Sequence, residues 1–136
     1  MAISDKIISG ALLTHGLYGC VWTIQLASSH GYPGLFLLPN TMLALAGVVA
    51  GIGCFRGKRW AAYTGLVFWG IQIIDILTPT FQFSFTLGLN AVLAAGWYGV
   101  GQFGVNIFAL ILLLWLLART RAPGSPFHRV SEMAAT

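Results

Sequence analysis

Leu87 to Leu117 reads LGLNAVLAAGWYGVGQFGVNIFALILLLWLL, an apolar stretch without one charged side chain. Wound as a single helix at about 1.5 Å per residue, it would be roughly 45 Å long, well beyond a hydrocarbon core of about 30 Å. Gly96, Gly99, Gly101 and Gly104 crowd its middle, where a helix is weakest. The stretch therefore predicts a short helix in the outer membrane interface over about 87–95, then a span over about 99–117. One long tilted helix is the alternative.

Working outward, the rest of the chain has the same character. Of 136 residues, 57% are hydrophobic and 7% charged, against about 25% charged in a soluble domain. A soluble domain could not build its surface from so few charges, whereas a protein coated by lipid could. Further apolar runs predict spans at about 6–27, 35–55 and 60–77, the third ended by Thr78-Pro79-Thr80. The run after Lys6 is longer than the roughly 7–15 residues of a signal-peptide core, so it is expected to be a span. The predicted fold is an all-α integral membrane protein, an antiparallel four-helix bundle forming a single membrane domain over 1–136, with an irregular tail over 119–136.

The basic residues set an orientation. Lys6, Arg56, Lys58, Arg59, Arg119, Arg121 and Arg129 all fall at one end of this layout. By the positive-inside rule both termini are cytoplasmic, and the loop at 28–34 is outside. The expected location is the bacterial inner membrane, crossed several times. Cys20 and Cys54 lie roughly 20 Å apart in depth, too far for a disulfide, whose α-carbons lie within about 7 Å.

Candidate site residues are few. Asp75 is the one acid inside a predicted span, and an intramembrane carboxylate is a functional candidate by default. Gln72, one helical turn before it, and Asn40, Gln25, His15 and Tyr18 extend a polar set toward the outer half of the bundle. His15, Tyr18, Trp22 and Gln25 recur at helical spacing and are expected to face the interior. The plainer reading of this set is interhelical hydrogen bonding that fixes packing, and for Asp75 contact with water; an ion pair would have to come from His30, from His15 or from another chain. No cofactor is predicted. A haem or pigment on His15 is the weaker reading, because haem between helices commonly takes two axial ligands; a quinone contact is weaker also. Gly47 and Gly51 form a small-xxx-small pair for helix packing. Trp60, Tyr63, Trp97 and Tyr98 read as interfacial anchors.

No catalytic residues, metal cluster, phosphate-binding loop or dinucleotide fingerprint is recognisable. The basic residues suit lipid headgroups and not a nucleic acid.

Gly31-Tyr32-Pro33, a span rich in small residues, a basic turn and Trp60-Ala61-Ala62-Tyr63-Thr64-Gly65-Leu66-Val67-Phe68 follow one another over 31–68. In these features the chain resembles the DoxX-like family of small four-span bacterial membrane proteins. Where that family often carries Gly-x-x-Lys in the first span, this chain has Gly19-Cys20-Val21-Trp22. The resemblance implies an antiparallel four-helix bundle and, for some relatives, partnership with membrane oxidoreductases. The expected function is a non-catalytic accessory or structural subunit of a larger membrane complex, redox or energy-converting ones included. Its partners would be the bilayer and other membrane subunits or itself. The alternative is a small ligand-binding protein, for a quinone or lipid, or a transporter, using the outer polar set.

Overall fold

The computed structural model describes residues 1–30, 34–85 and 87–128, with the side chains of His30 and Phe36 outside the description. The predicted turn at Gly31-Tyr32-Pro33 and the end of the tail, with Arg129, therefore lie outside the described residues. The described residues form four helices: α1 (Ile3–His30), α2 (Gly34–Phe55), α3 (Arg59–Ile71) and α4 (Ile107–Arg121). Between α3 and α4 stand four strands: β1 (Ile74–Leu77), β2 (Gln82–Phe83), β3 (Val92–Trp97) and β4 (Gly101–Asn106). They form one antiparallel sheet in the order β2-β1-β4-β3.

The sheet overturns the all-α four-helix bundle, including the bundle that the family resemblance implied. The third apolar run is helical only to Ile71. Beyond it the chain reads Ile71-Gln72-Ile73-Ile74-Asp75-Ile76-Leu77. β-Branched residues lose rotamer freedom on a helix and fit a pleated strand, and Ile74-Asp75-Ile76 alternates with the strand period. The helix predicted at 87–95 is a loop followed by β3, and the span predicted at 99–117 begins as β4 and becomes helical only at Ile107. The crowded glycines belong to a hairpin. Gly99, at φ +76°, turns the chain between β3 and β4, a conformation that L side chains rarely adopt.

Among the described residues two helices, α1 and α2, are long and apolar enough to cross a membrane. At about 1.5 Å per residue, the 28 and 22 residues of these helices span roughly 42 and 33 Å. By the same rise, α3 and α4, with 13 and 15 residues, reach only about 20–22 Å. Each is prolonged by a central strand: α3 runs on into β1, and β4 runs down into α4.

α1 and α2 cross at glycine. A Cβ on Gly16 would overlap the backbone nitrogen of Val48, and one on Gly51 would lie 2.6 Å from the backbone nitrogen of Leu13. A Cβ on Gly47 would lie 3.1 Å from the α-carbon of Gly16 and 2.6 Å from the Phe68 ring. Small residues thus let the two backbones touch, and α3 packs into the same seam. Ile8, Leu12, Ala44, Phe68, Trp69 and Leu116 fill the buried core around it.

At the basic end, Asp5 is fully buried and accepts from the Arg119 guanidinium at 2.6 and 3.3 Å. This pair ties the start of α1 to the end of α4. The predicted irregular tail is packed there as far as it is described: Phe127 is buried, and Arg59 donates to the carbonyl of His128 at 3.3 Å.

Two stability predictions follow from these contacts. Gly16→Ala should lower the stability of the purified protein by about 1–3 kcal/mol, the range for overpacking. Gly10→Ala, whose Cβ would meet nothing nearer than 3.9 Å, should be neutral or stabilising by up to about 1 kcal/mol. Arg119→Gln should cost about 1.5–3 kcal/mol, the range of a hydrogen bond to a charged group. It should not reach the full value of a deep ion pair, because the Arg119 side chain stays 21% exposed. Equal melting temperatures for wild type and Arg119→Gln would contradict the role given to this pair.

Candidate functional site

The sequence placed six polar residues in one set, and the structure distributes them over four environments. Tyr18 and Gln25 are exposed on α1, together with Trp22. The inward row of that helix runs instead through Asp5, Ile8, Leu12, His15, Gly16, Gly19 and Thr23. His15 lies at the edge of this row, and the following members of its expected face drift away from it. Asn40 is half-buried on α2. His15 and Gln72 lie inside the protein, and Asp75 stands on β1 above them.

The interior pair marks where helices give way to strands. The Gln72 side-chain amide donates to the carbonyl of Phe68 at 3.0 Å and accepts from the backbone N–H of Leu87 at 2.9 Å. Leu87 is thereby held in the bundle, its methyls against Gly19, where a Cβ would lie 2.9 Å away. Gly88 follows with φ +84°, and a Cβ there would overlap the His15 ring. His15 Nδ1 lies 2.8 Å from the carbonyl of Ala11, the geometry of an N–H donor. Its ring meets Trp69 edge-on at 5.0 Å and stacks on Phe108 at 5.4 Å. Among the described residues, His15 Nε2 and Trp69 Nε1 are buried without a partner.

A second amide, absent from the predicted set, closes the other junction. Asn106 is buried, and its side-chain oxygen accepts from Ala109 N at 3.2 Å and Ala91 N at 3.3 Å. It caps α4 and anchors the loop from β2 to β3 in one step. Asparagine before an apolar helical run is an N-cap signal. It was hidden by reading one span through 99–117.

Asp75 faces a cleft on the sheet. Strand pairing sets it opposite Gly104, with Ala94 beyond on the same face. Gln82, Ser84 and Gln102 bring polar groups to the cleft, which encloses about 190 Å³. Asp75 Oδ1 is sealed from solvent and has no hydrogen-bond partner among the described residues. The side chain of His30, one expected partner, lies outside the described residues, and among the described residues no lysine or arginine lines the cleft. Neutral amides and a hydroxyl around a carboxylate can accept a proton or a small cation. They supply no nucleophile with a base beside it. No cluster of three metal-ligating side chains occurs among the described residues. Cys20 and Cys54 are free thiols.

The chain matches no family model, no curated protein and no solved structure.

Gln72→Leu removes the acceptor for the Leu87 N–H while keeping the side chain's bulk. It should cost about 1–3 kcal/mol, the penalty of an unpaired buried donor, and speed amide hydrogen exchange of the 87–91 loop more than that of α1. Unchanged exchange at Leu87 would show that the loop is held by its apolar contacts alone.

Proposed function

We propose that this chain is a non-catalytic subunit of a membrane complex, assembled through the open edge of its sheet. The observation that carries the reading is β3: all six of its residues are exposed, and β4 pairs with it on one side only. Such an edge presents a row of backbone donors and acceptors ready for another strand. It has none of the usual protections, for Val92-Leu93-Ala94-Ala95-Gly96-Trp97 contains no proline, lysine or other charge.

Membrane placement makes a partner for this edge physically necessary. Large apolar side chains cover the outside of the helices, with Leu38, Met42, Leu45, Val49 and Ile52 forming an exposed stripe along α2. The inside of α1 holds Asp5, Ser9, His15 and Thr23. This pattern, polar and small inside with apolar outside, suits lipid and not water. Lys6, Arg56, Lys58, Arg59, Arg119 and Arg121 lie at the end opposite the sheet, which supports a cytoplasmic position for that end in a bacterial inner membrane. With α3 and α4 reaching only about 20–22 Å into a core of about 30 Å, the lower sheet lies at hydrocarbon depth. An unpaired strand edge there costs several kcal/mol per exposed polar group. The tip of the hairpin, Trp97 and Tyr98, is fully or nearly fully exposed and falls at the outer interface, where such rings anchor.

A second reading rests on Asp75 and its cleft, a small site for a ligand or proton. Asp75→Asn separates the two: intact assembly with lost activity of the complex supports a working site, and unchanged activity supports the subunit reading.

The edge is tested by Ala95→Lys, which places a charge on β3. Native electrophoresis in mild detergent should show a shift of about tenfold or more from complex to single chain, equivalent to about 1.4 kcal/mol, while helix content by circular dichroism is kept. An unaltered complex would remove the edge from the account. Reporter fusions within Arg56–Arg59 should read cytoplasmic, and fusions at Gly99 external.

A further inference from the structure

At the basic end, α2 and α3 leave a groove of about 250 Å³ between Val49, Ile52 and Gly53 on one side and Arg56, Lys58 and Trp60 around its mouth. A lone ion would occupy little of it, since one water takes about 30 Å³. Gly53 forms part of the floor: a Cβ there would sit 2.5 Å from the Ala61 Cβ and 3.2 Å from the Trp60 ring. Val49 and Ile52 belong to the exposed apolar stripe of α2, so the groove opens sideways where lipid would be, not only toward water.

The charges around the mouth differ from their neighbours. Arg119 is committed to Asp5, and Arg59 donates to the tail at His128. Arg56 and Lys58 are exposed, and among the described residues neither joins an ion pair. Lys58 also precedes α3 without a side-chain cap; Ala61 N donates back to the Lys58 carbonyl at 3.2 Å, and the N–H groups of Arg59 and Trp60 before it are left for an outside acceptor. Two cations, an uncapped helix start and an interfacial indole surround the head of a groove whose body is hydrocarbon.

We propose that this groove binds one anionic phospholipid from the cytoplasmic leaflet, its phosphate between Arg56 and Lys58 and the upper part of an acyl chain along Val49 and Ile52. The site rests on the membrane placement above, but not on the edge-mediated assembly. It is a place built for one molecule, distinct from the general attraction of basic residues for an anionic surface.

The test is native mass spectrometry of the full chain, delipidated in mild detergent and titrated with phosphatidylglycerol or phosphatidylcholine. Phosphatidylglycerol should add as one tightly held molecule and phosphatidylcholine should bind at least fivefold more weakly. Arg56→Gln and Lys58→Gln should each weaken phosphatidylglycerol about fivefold, following roughly 1 kcal/mol per basic residue near an anionic surface. Arg121→Gln, exposed at the same end but outside the groove, should have no effect. Ile52→Trp keeps every charge and fills the groove, and it should weaken binding as well. Equal affinity for both lipids, or an Arg121→Gln loss equal to that of Arg56→Gln, would overturn the site in favour of diffuse attraction. Displacement of the lipid by glycerol phosphate at equal concentration would overturn the lipid as occupant, leaving a soluble phosphate ester. All four substituted positions are exposed, so monodisperse chromatography with unchanged circular dichroism should accompany each variant. A chain that fails to stay in carbonate-washed membranes would sink the membrane placement itself, a result separate from any lipid preference.

Discussion

Two buried amides sit where helices become strands, and the architecture turns on them. Gln72 closes α3 by bonding back to Phe68, and it reaches across to Leu87. Asn106 opens α4 by capping Ala109, and it reaches across to Ala91. The backbone N–H of Asn106 donates to the carbonyl of Ile73 at 2.7 Å, joining the two junctions directly. A helix that ends inside a protein leaves backbone groups that need partners there. Here one side chain at each junction satisfies such groups and binds the loop that fills the space between them. The half-length helices α3 and α4 can then continue as the central strands of a sheet without leaving a hole at the core.

Those junctions explain why the sheet has its two edges where it does. β1 and β4 are central because they continue packed neighbouring helices, so their hairpin partners must lie outside them. β2 is only two residues long and offers little edge. β3 is six residues long, exposed and free of charge. The length of this edge connects the local chemistry of two amides to the proposal that a partner strand covers it. At the opposite end the same polypeptide is fastened by charge, through Asp5 and Arg119, with the packed tail beneath.

The apolar runs at 6–27 and 35–55 lie within α1 and α2, because each is long, apolar and free of the strand-period alternation seen at Ile74-Asp75-Ile76. Gly47 and Gly51 lie in the α1–α2 crossing. The later half of the chain was not legible by the same means. Hydropathy averages over a window and treats Ile74-Asp75-Ile76 as a helix with one costly acid, although its alternation and β-branching describe a strand. Gly99 and Gly101 weaken a helix and make a hairpin equally well, and only the pairing of 92–97 with 101–106 decides between them. Asp75 was conspicuous as a charge, but its cleft of Gln82, Ser84 and Gln102 is assembled across three strands and has no sequence period. Tyr18 and Gln25 show the opposite error, since helical spacing from His15 was right while the choice of inward row was not.

Residues 92–106 form a hairpin where apolarity alone calls for a helix. Single spin labels placed one by one along this segment, in a chain lacking Cys20 and Cys54 and reconstituted in lipid vesicles, report it most directly. Their accessibility to oxygen, which concentrates in lipid, should alternate with a period of two. Leu93, Ala95, Phe103 and Val105 should fall together on one side, and Ala94, Gln102 and Gly104 on the other. Accessibility that instead cycles every 3.6 residues through Gly99 would mean a continuous helix and would contradict the account.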